Sequence, residues 1–244
     1  MDTGVFLSAK WEYLAMFNYE VDPAILTAHL PPFTAIDYYD GKALVSVVGF
    51  LFNNTKVMGI KWPGHANFEE VNLRYYIKHF DGNKYKRGVG FVSEIVPKYM
   101  IATLANKLYN EHYSVAKMQH NIALENDHIA VEYSWKQKDV NWNTLNVKAL
   151  ADPEDIKRGS AEEFIFEHYN GYNKLNATTT IEYSLKHPVW QVYPVTDYSI
   201  NCDVEKLYGK AFVPFIQDQK PHSVFLAKGS EVFVKMPVKI SGLL

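Results

Sequence analysis

The chain has 244 residues, 48% hydrophobic and 21% charged, the balance of an ordinary globular protein with room for one large β-rich domain or two small ones. Formal net charge is −2, so neither nucleic acid nor an anionic membrane surface has an electrostatic claim as partner. Aromatic residues reach 15%, which favours strands over helices.

The amino-terminal MDTGVFLSAKWEYL lacks a basic segment followed by an apolar run, so no secretory signal is expected. Asp22-Pro23 reads as a helix start, a capping carboxylate before proline at the first helical position. The helix is predicted through Leu30, where Pro31-Pro32 ends it. Asp40-Gly41 turns the chain into the strand ALVSVVGFLF, whose Gly49 marks a bulge or a close backbone approach. This apolar stretch, Ala43 to Phe52, is about half the ~20 residues a membrane-spanning helix needs.

The next strand carries the strongest functional signal. At period two, Val71, Leu73, Tyr75 and Ile77 point one way, and Glu70, Asn72, Arg74 and Tyr76 the other. Facing water, the second row is a solvated sheet face. Facing the inside of a barrel, it is the floor of a polar pocket. Periodicity leaves both open.

The strand ends at Asp81-Gly82-Asn83, and Gly88 to Ile95 forms the next one. Pro97 opens a helix through about Leu108. Tyr113 to His120 reads as one strand with Tyr113 and Lys117 on the same face, and His128 to Trp135 as its neighbour. Lys136 to Asp155 is polar and reads as a loop. Ser160 with Glu163 is a capping box starting a short helix through Tyr169. Thr178 to Lys186, Tyr193 to Asn201, Ser223 to Lys228 and Glu231 to Ile240 are β-rich. With no linker or repeat, residues 1–244 read as a single α+β, mostly antiparallel domain. Cys202 is the one cysteine, so no internal disulfide forms; a reducing, cytoplasmic location is expected.

No phosphate loop, dinucleotide fingerprint or G-x-S-x-G elbow is present. The histidines show no H-x-x-x-H pair, and His112 and His120 stand eight apart. No metal and no cofactor is expected.

The segments FLSAKWEYLAMFNYEVDPAILTAHLPP, DGKALVSVVGF, NFEEVNLRYYI, LYNEHYSVAKM, EEFIFEHY and HPVWQV, in this order, resemble the YqjF-like family. That family has no assigned biochemistry and is related in fold to acetoacetate decarboxylase. The resemblance implies a cone-shaped, largely antiparallel β-barrel with rim helices and an internal cavity. In the decarboxylases an arginine, a glutamate and a lysine pair surround that cavity, and one lysine forms a Schiff base with a β-keto acid. Glu70 matches the glutamate by local pattern. The arginine position falls near Lys10 to Glu12, where Lys10 offers only a point charge. The lysine pair falls near Tyr113-Ser114, and neither is lysine. Lys117 lies roughly 13 Å further along a strand. Schiff-base decarboxylation is therefore disfavoured.

The resemblance turns Glu70, Asn72 and Arg74 inward, where acid and base must pair with each other or hold a ligand. Tyr113 is either a core tyrosine or a phenol in the lysine's place. Glu167 and Tyr169 are a solvated helix end or part of the site. The family's Glu-Arg-Tyr reads Glu-His-Tyr here, and His168 replaces the arginine's charge only when protonated. His187 and Trp190 either close a strand end with the Trp in the core or rim the pocket, with His187 an acid/base group. Lys117 faces solvent or is a relocated amine.

The expected function is binding of a small organic acid or carbonyl compound, held by Arg74 and oriented by Glu70, Asn72 and Tyr113. Catalysis, if any, is lyase- or isomerase-like proton transfer beside a carbonyl, with Glu70 as base. The alternatives are a carrier or sensor on the same fold, and an interaction module with a filled barrel. The expected partner is a small-molecule ligand, with homo-oligomerisation left open.

Overall fold

The structure is a computed structural model that describes residues 4–110, 113–138 and 141–241. His112 lies outside the described residues. The chain opens with β1 (Val5–Val21), the one-turn α1 (Pro23–Leu26), β2 (Thr34–Ile36), β3 (Ala43–Val57), β4 (Phe68–Phe80) and β5 (Tyr85–Val96). It continues with α2 (Tyr99–Tyr109), β6 (Tyr113–Val115), β7 (Lys117–Glu125), β8 (His128–Lys136), β9 (Asn143–Leu150) and β10 (Glu154–Asp155). The last part holds α3 (Ala161–Phe166), β11 (Asn170–Asn176), β12 (Thr179–Lys186), β13 (Gln191–Tyr193) and β14 (Val195–Asn201). Short helices α4 (Val204–Tyr208) and α5 (Val213–Ile216) precede β15 (Ser223–Lys235) and β16 (Val238–Ser241).

Among the described residues the strands form a 12-stranded and a 4-stranded sheet. In the larger one, β15 pairs with β1, and pairing passes through β3, β4, β5, β11 and β12 back to β15. The strands therefore form a ring, antiparallel except at β5–β11, where Val89 meets Gly171 in parallel. β7, β8, β9 and β14 make the second sheet.

Two cores follow. Inside the ring, Leu14, Met16, Val48, Phe50, Tyr76 and Trp190 pack together. Outside it, Phe17, Val47, Leu73 and Tyr75 pack against Val131, Tyr133, Trp135 and Leu145 of the second sheet, and against Leu207 and Phe212. Long stretches of β1, β3 and β4 are thus buried on both faces, which explains why Ala43 to Phe52 of β3 reads as a continuous apolar run rather than an alternating one. Gly49 is the close approach its sequence context announced: a Cβ there would stand 2.8 Å from the Tyr133 ring.

Several boundaries differ from the sequence reading. Asp22 accepts from the Ala24 amide as a cap should, but the helix stops at Leu26 rather than Leu30. The strand expected from Tyr113 to His120 breaks at Ala116: β6 joins the ring parallel to β5, and β7 leaves for the second sheet. The polar stretch from Lys136 contains β9, whose Leu145, Val147 and Ala149 point into the outer core. Ser160 caps the Glu163 amide and α3 ends at Phe166, short of Tyr169. Ser223 to Lys235 is one strand through Gly229, where φ is 79° and a Cβ would meet the Trp11 carbonyl oxygen at 2.0 Å.

Candidate functional site

The ring encloses a cavity of about 120 Å³. A single water needs roughly 10–15 Å³ measured this way, so a small organic molecule fits. Most of the wall is apolar, with Phe50, Phe52, Phe68, Phe91 and Phe166 among its side chains. The polar groups come from few places: Glu70, Asn72 and Arg74 on β4, Glu94 on β5, Tyr113 on β6, His168 after α3, and His187 after β12. The polar row of β4 therefore faces inward.

Glu70 is 3% exposed. Its Oε1 accepts from Asn72 Nδ2 at 2.9 Å and its Oε2 from the Tyr113 hydroxyl at 2.9 Å. Burial pushes its pKa up to about 7, against the opposing pull of these two donors. A carboxyl group so placed holds and releases a proton near neutrality. Glu94, 1% exposed, pairs in register with both Asn72 and Tyr113, so a second carboxyl group borders the same corner.

Arg74 lies one turn of the pleat beyond Asn72. Its Nη2 donates to the Ile165 carbonyl at 2.9 Å, and its Nε to the Tyr76 hydroxyl at 3.3 Å. It makes no ion pair with Glu70, whose partners are Asn72 and Tyr113. No carboxylate among the described residues pairs with this guanidinium, which lines a mostly apolar cavity.

Behind the wall lies a charge cluster the sequence reading did not find. Asp37 accepts from Arg87 Nε at 2.6 Å, Lys78 Nζ at 3.2 Å and His168 Nε2 at 3.2 Å. Burial alone would raise the Asp37 pKa, but the bonds from His168 and Arg87 hold it well below the usual carboxylate range. Burial lowers the His168 pKa to about 4 despite Asp37, so the ring is neutral at pH 7 and does not replace the arginine charge of the Glu-Arg-Tyr pattern.

Six of the residues singled out from the sequence line the cavity together: Glu70, Asn72, Arg74, Tyr113, His187 and Trp190. His187 stacks on Trp190 with ring centroids 4.1 Å apart, and Trp190 Nε1 donates to Ser230 Oγ at 2.8 Å. Burial lowers the His187 pKa. Glu167 and Tyr169 stand outside the lining and bond each other, the phenol donating to Glu167 Oε2 at 2.7 Å; the Tyr169 ring backs His187 at 4.6 Å. Of this tripeptide, His168 is the residue that turns in. Lys10 pairs with Glu12 at 2.6 Å near solvent. Lys117 is exposed, 5.8 Å from the Trp142 ring, on the strand that left for the second sheet. No lysine lines the cavity among the described residues. Glu94 was missed because a single acid in FVSEIV carries no period of its own. No helix among the described residues is long and apolar enough to cross a membrane.

The fold is that of the acetoacetate decarboxylase-like proteins. Acetoacetate decarboxylase from Legionella pneumophila superposes with a TM-score of 0.65 at 12% identity, covering 97% of this chain and 87% of that one. The enduracididine biosynthesis enzyme MppR complexed with pyruvate does so with a TM-score of 0.65 at 10% identity, covering 99% and 91%. Within this class the chain belongs to the DUF2071 family of uncharacterized conserved proteins, which it matches over residues 8–231. The uncharacterized protein YqjF of Bacillus subtilis (strain 168) is 24% identical over 181 residues, 73% of this chain and 72% of that protein.

Proposed function

We propose that the cavity binds a small organic acid carrying a carbonyl group, with the carboxylate on Arg74 and the carbonyl end toward Glu70 and Tyr113. The observation that carries this reading is the Arg74 guanidinium, which lines a mostly apolar cavity and is ion-paired to no carboxylate among the described residues, Glu70 included. A planar fork in such surroundings is a receptor for a carboxylate. The structural neighbour MppR is described with pyruvate, a keto acid, which agrees in kind.

The chemistry we assign is proton exchange at the carbon beside the carbonyl. Glu70, with its pKa near 7, takes the proton, and the Tyr113 hydroxyl and Arg74 stabilise the enolate. A Schiff base is not part of the proposal, since no lysine lines the cavity among the described residues. That same observation favours a second reading, a carrier or sensor that returns its ligand unchanged.

Thermal unfolding of wild type and Arg74→Ala with pyruvate, acetoacetate and longer keto acids tests binding. A ligand at about 100 times its Kd adds ~2.7 kcal/mol, a rise of roughly 5–10 °C for a chain this size. The rise is expected in wild type and lost in the variant; no rise with any acid overturns the reading. Deuterium exchange into the bound keto acid, followed by NMR, then separates enzyme from carrier. Exchange abolished by Glu70→Gln is expected, and its absence in wild type leaves the carrier.

A further inference from the structure

His168 occupies an unusual position between the cavity and the Asp37 cluster. Its side chain is 1% exposed. Its Nε2 lies 3.2 Å from Asp37 Oδ2, and Asp37 is fixed from its other sides by Arg87 and Lys78. An ionised carboxylate only accepts, so the imidazole proton sits on Nε2 and Nδ1 carries the lone pair. Asp37, Arg87 and Lys78 are not part of the cavity wall, whereas His168 is, so the Nε2 corner points outward from the cavity. Nδ1 is buried and has no hydrogen-bond partner. The depressed pKa agrees with a neutral ring.

Tyr76 links the His168 ring to the anion site. Arg74 Nε bonds the Tyr76 hydroxyl, and the His168 ring lies 4.9 Å from the Tyr76 ring. Arg74 also holds the carbonyl of Ile165, three residues before His168. Cation and acceptor thus flank one tyrosine. We infer that His168 Nδ1 is a specificity acceptor, and that the acid held by Arg74 carries a hydroxyl group next to its carboxylate, donated to Nδ1. The inference rests on the acid-binding reading of the same cavity and narrows it to acids whose carbonyl lies beyond the hydroxyl-bearing carbon, on the side of Glu70, so that a simple 2-keto acid such as pyruvate is a weaker ligand than its hydroxy-bearing counterpart. A keto oxygen at that position has no hydrogen to give and leaves the buried acceptor unsatisfied; a hydroxyl satisfies it.

Calorimetric titration of hexanoate, 2-hydroxyhexanoate and 2-methoxyhexanoate into wild type and His168→Gln tests this. Glutamine retains a donor to Asp37 at the Nε2 position and removes the acceptor at Nδ1. Wild type is expected to prefer the hydroxy acid over hexanoate by about tenfold, the effect of satisfying one buried acceptor. The methoxy acid, which cannot donate, is expected to show no such gain. In His168→Gln the hydroxy-to-hexanoate ratio falls toward one. Binding of the acids with no hydroxyl preference in wild type, or with the same preference in both proteins, overturns the inference and leaves acid binding standing. Should the variant not fold, equal gains for hydroxy and methoxy acids in wild type overturn it by themselves. Failure of all three acids to bind wild type overturns this inference where the keto acids do bind, and failure of the keto acids as well overturns the Arg74 reading.

Discussion

The Tyr113 hydroxyl donates to Glu70 Oε2 at 2.9 Å across 43 residues of sequence. The bond joins β6, the fragment that breaks away at Ala116, to the inward row of β4. It also lowers the proton affinity that burial gives the carboxyl group, as the Asn72 bond does. Tyr113→Phe removes a donor that favours the charged form, so the Glu70 pKa rises from about 7. A hydrogen bond to a charged acceptor is worth ~1.5 kcal/mol or more, which makes the rise roughly one unit. Carbon-13 NMR titration of the carboxyl groups reads this directly, and an unchanged Glu70 titration refutes it.

The same raised pKa makes stability fall with pH in a defined window. Between about 4.5 and 7 the folded chain keeps the Glu70 proton while the unfolded chain has lost it, so unfolding releases a proton and stability drops as pH rises. The drop levels off above pH 7 and amounts to about 3 kcal/mol for this group. Glu70→Gln, which resembles the protonated form, is expected to lose this slope and to be more stable than wild type at pH 8. Urea unfolding of both proteins at pH 5 and pH 8 measures the difference.

Asp37 has the opposite sign. Its pKa is held below 3.8 by His168 and Arg87, against burial, so its contribution is present above that value and is lost as pH falls below about 4. Asp37→Asn leaves Arg87 and Lys78 without their shared carboxylate and is expected to cost about 3 kcal/mol at pH 7. Calorimetry should show a Tm lower by roughly 6–12 °C; a Tm within 2 °C of wild type, at about this precision, contradicts the cluster's role.

Gly49 is predicted to resist even a methyl group. Its Cβ would stand 2.8 Å from the Tyr133 ring, whose hydroxyl is tied to the Tyr13 carbonyl at 2.9 Å and so cannot swing freely aside. Gly49→Ala is expected to cost about 1–3 kcal/mol by overpacking between ring and second sheet. The urea midpoint checks it.

Borohydride added in the presence of acetoacetate is expected to leave no adduct on any cavity residue, because no lysine lines the cavity among the described residues. Peptide mass mapping reads the result. Reduction products on Lys10 or Lys117 at the level of other surface lysines agree with their exposed places, and a single strongly labelled lysine does not.

The sequence by itself determined what local rules govern. Asp22-Pro23 capped a helix, Ser160 capped another, and period two separated Glu70, Asn72 and Arg74 from Val71, Leu73 and Tyr75. Alternation in NTLNVKAL was also present, but its polar letters face solvent around Leu145 and Val147 and made β9 read as a loop. Which side of β4 was the inside could not be read locally, because both rows are buried, one in each core. Only closure of the ring through β12 and β15 turned the charged row into a cavity wall. The same holds for Glu94, Asp37 and His168. None of the three belongs to a periodic polar row, and each gained its role from partners 19 to 131 positions away that pairing of distant strands brought within reach. Periodicity encodes a face; tertiary closure decides what that face encloses.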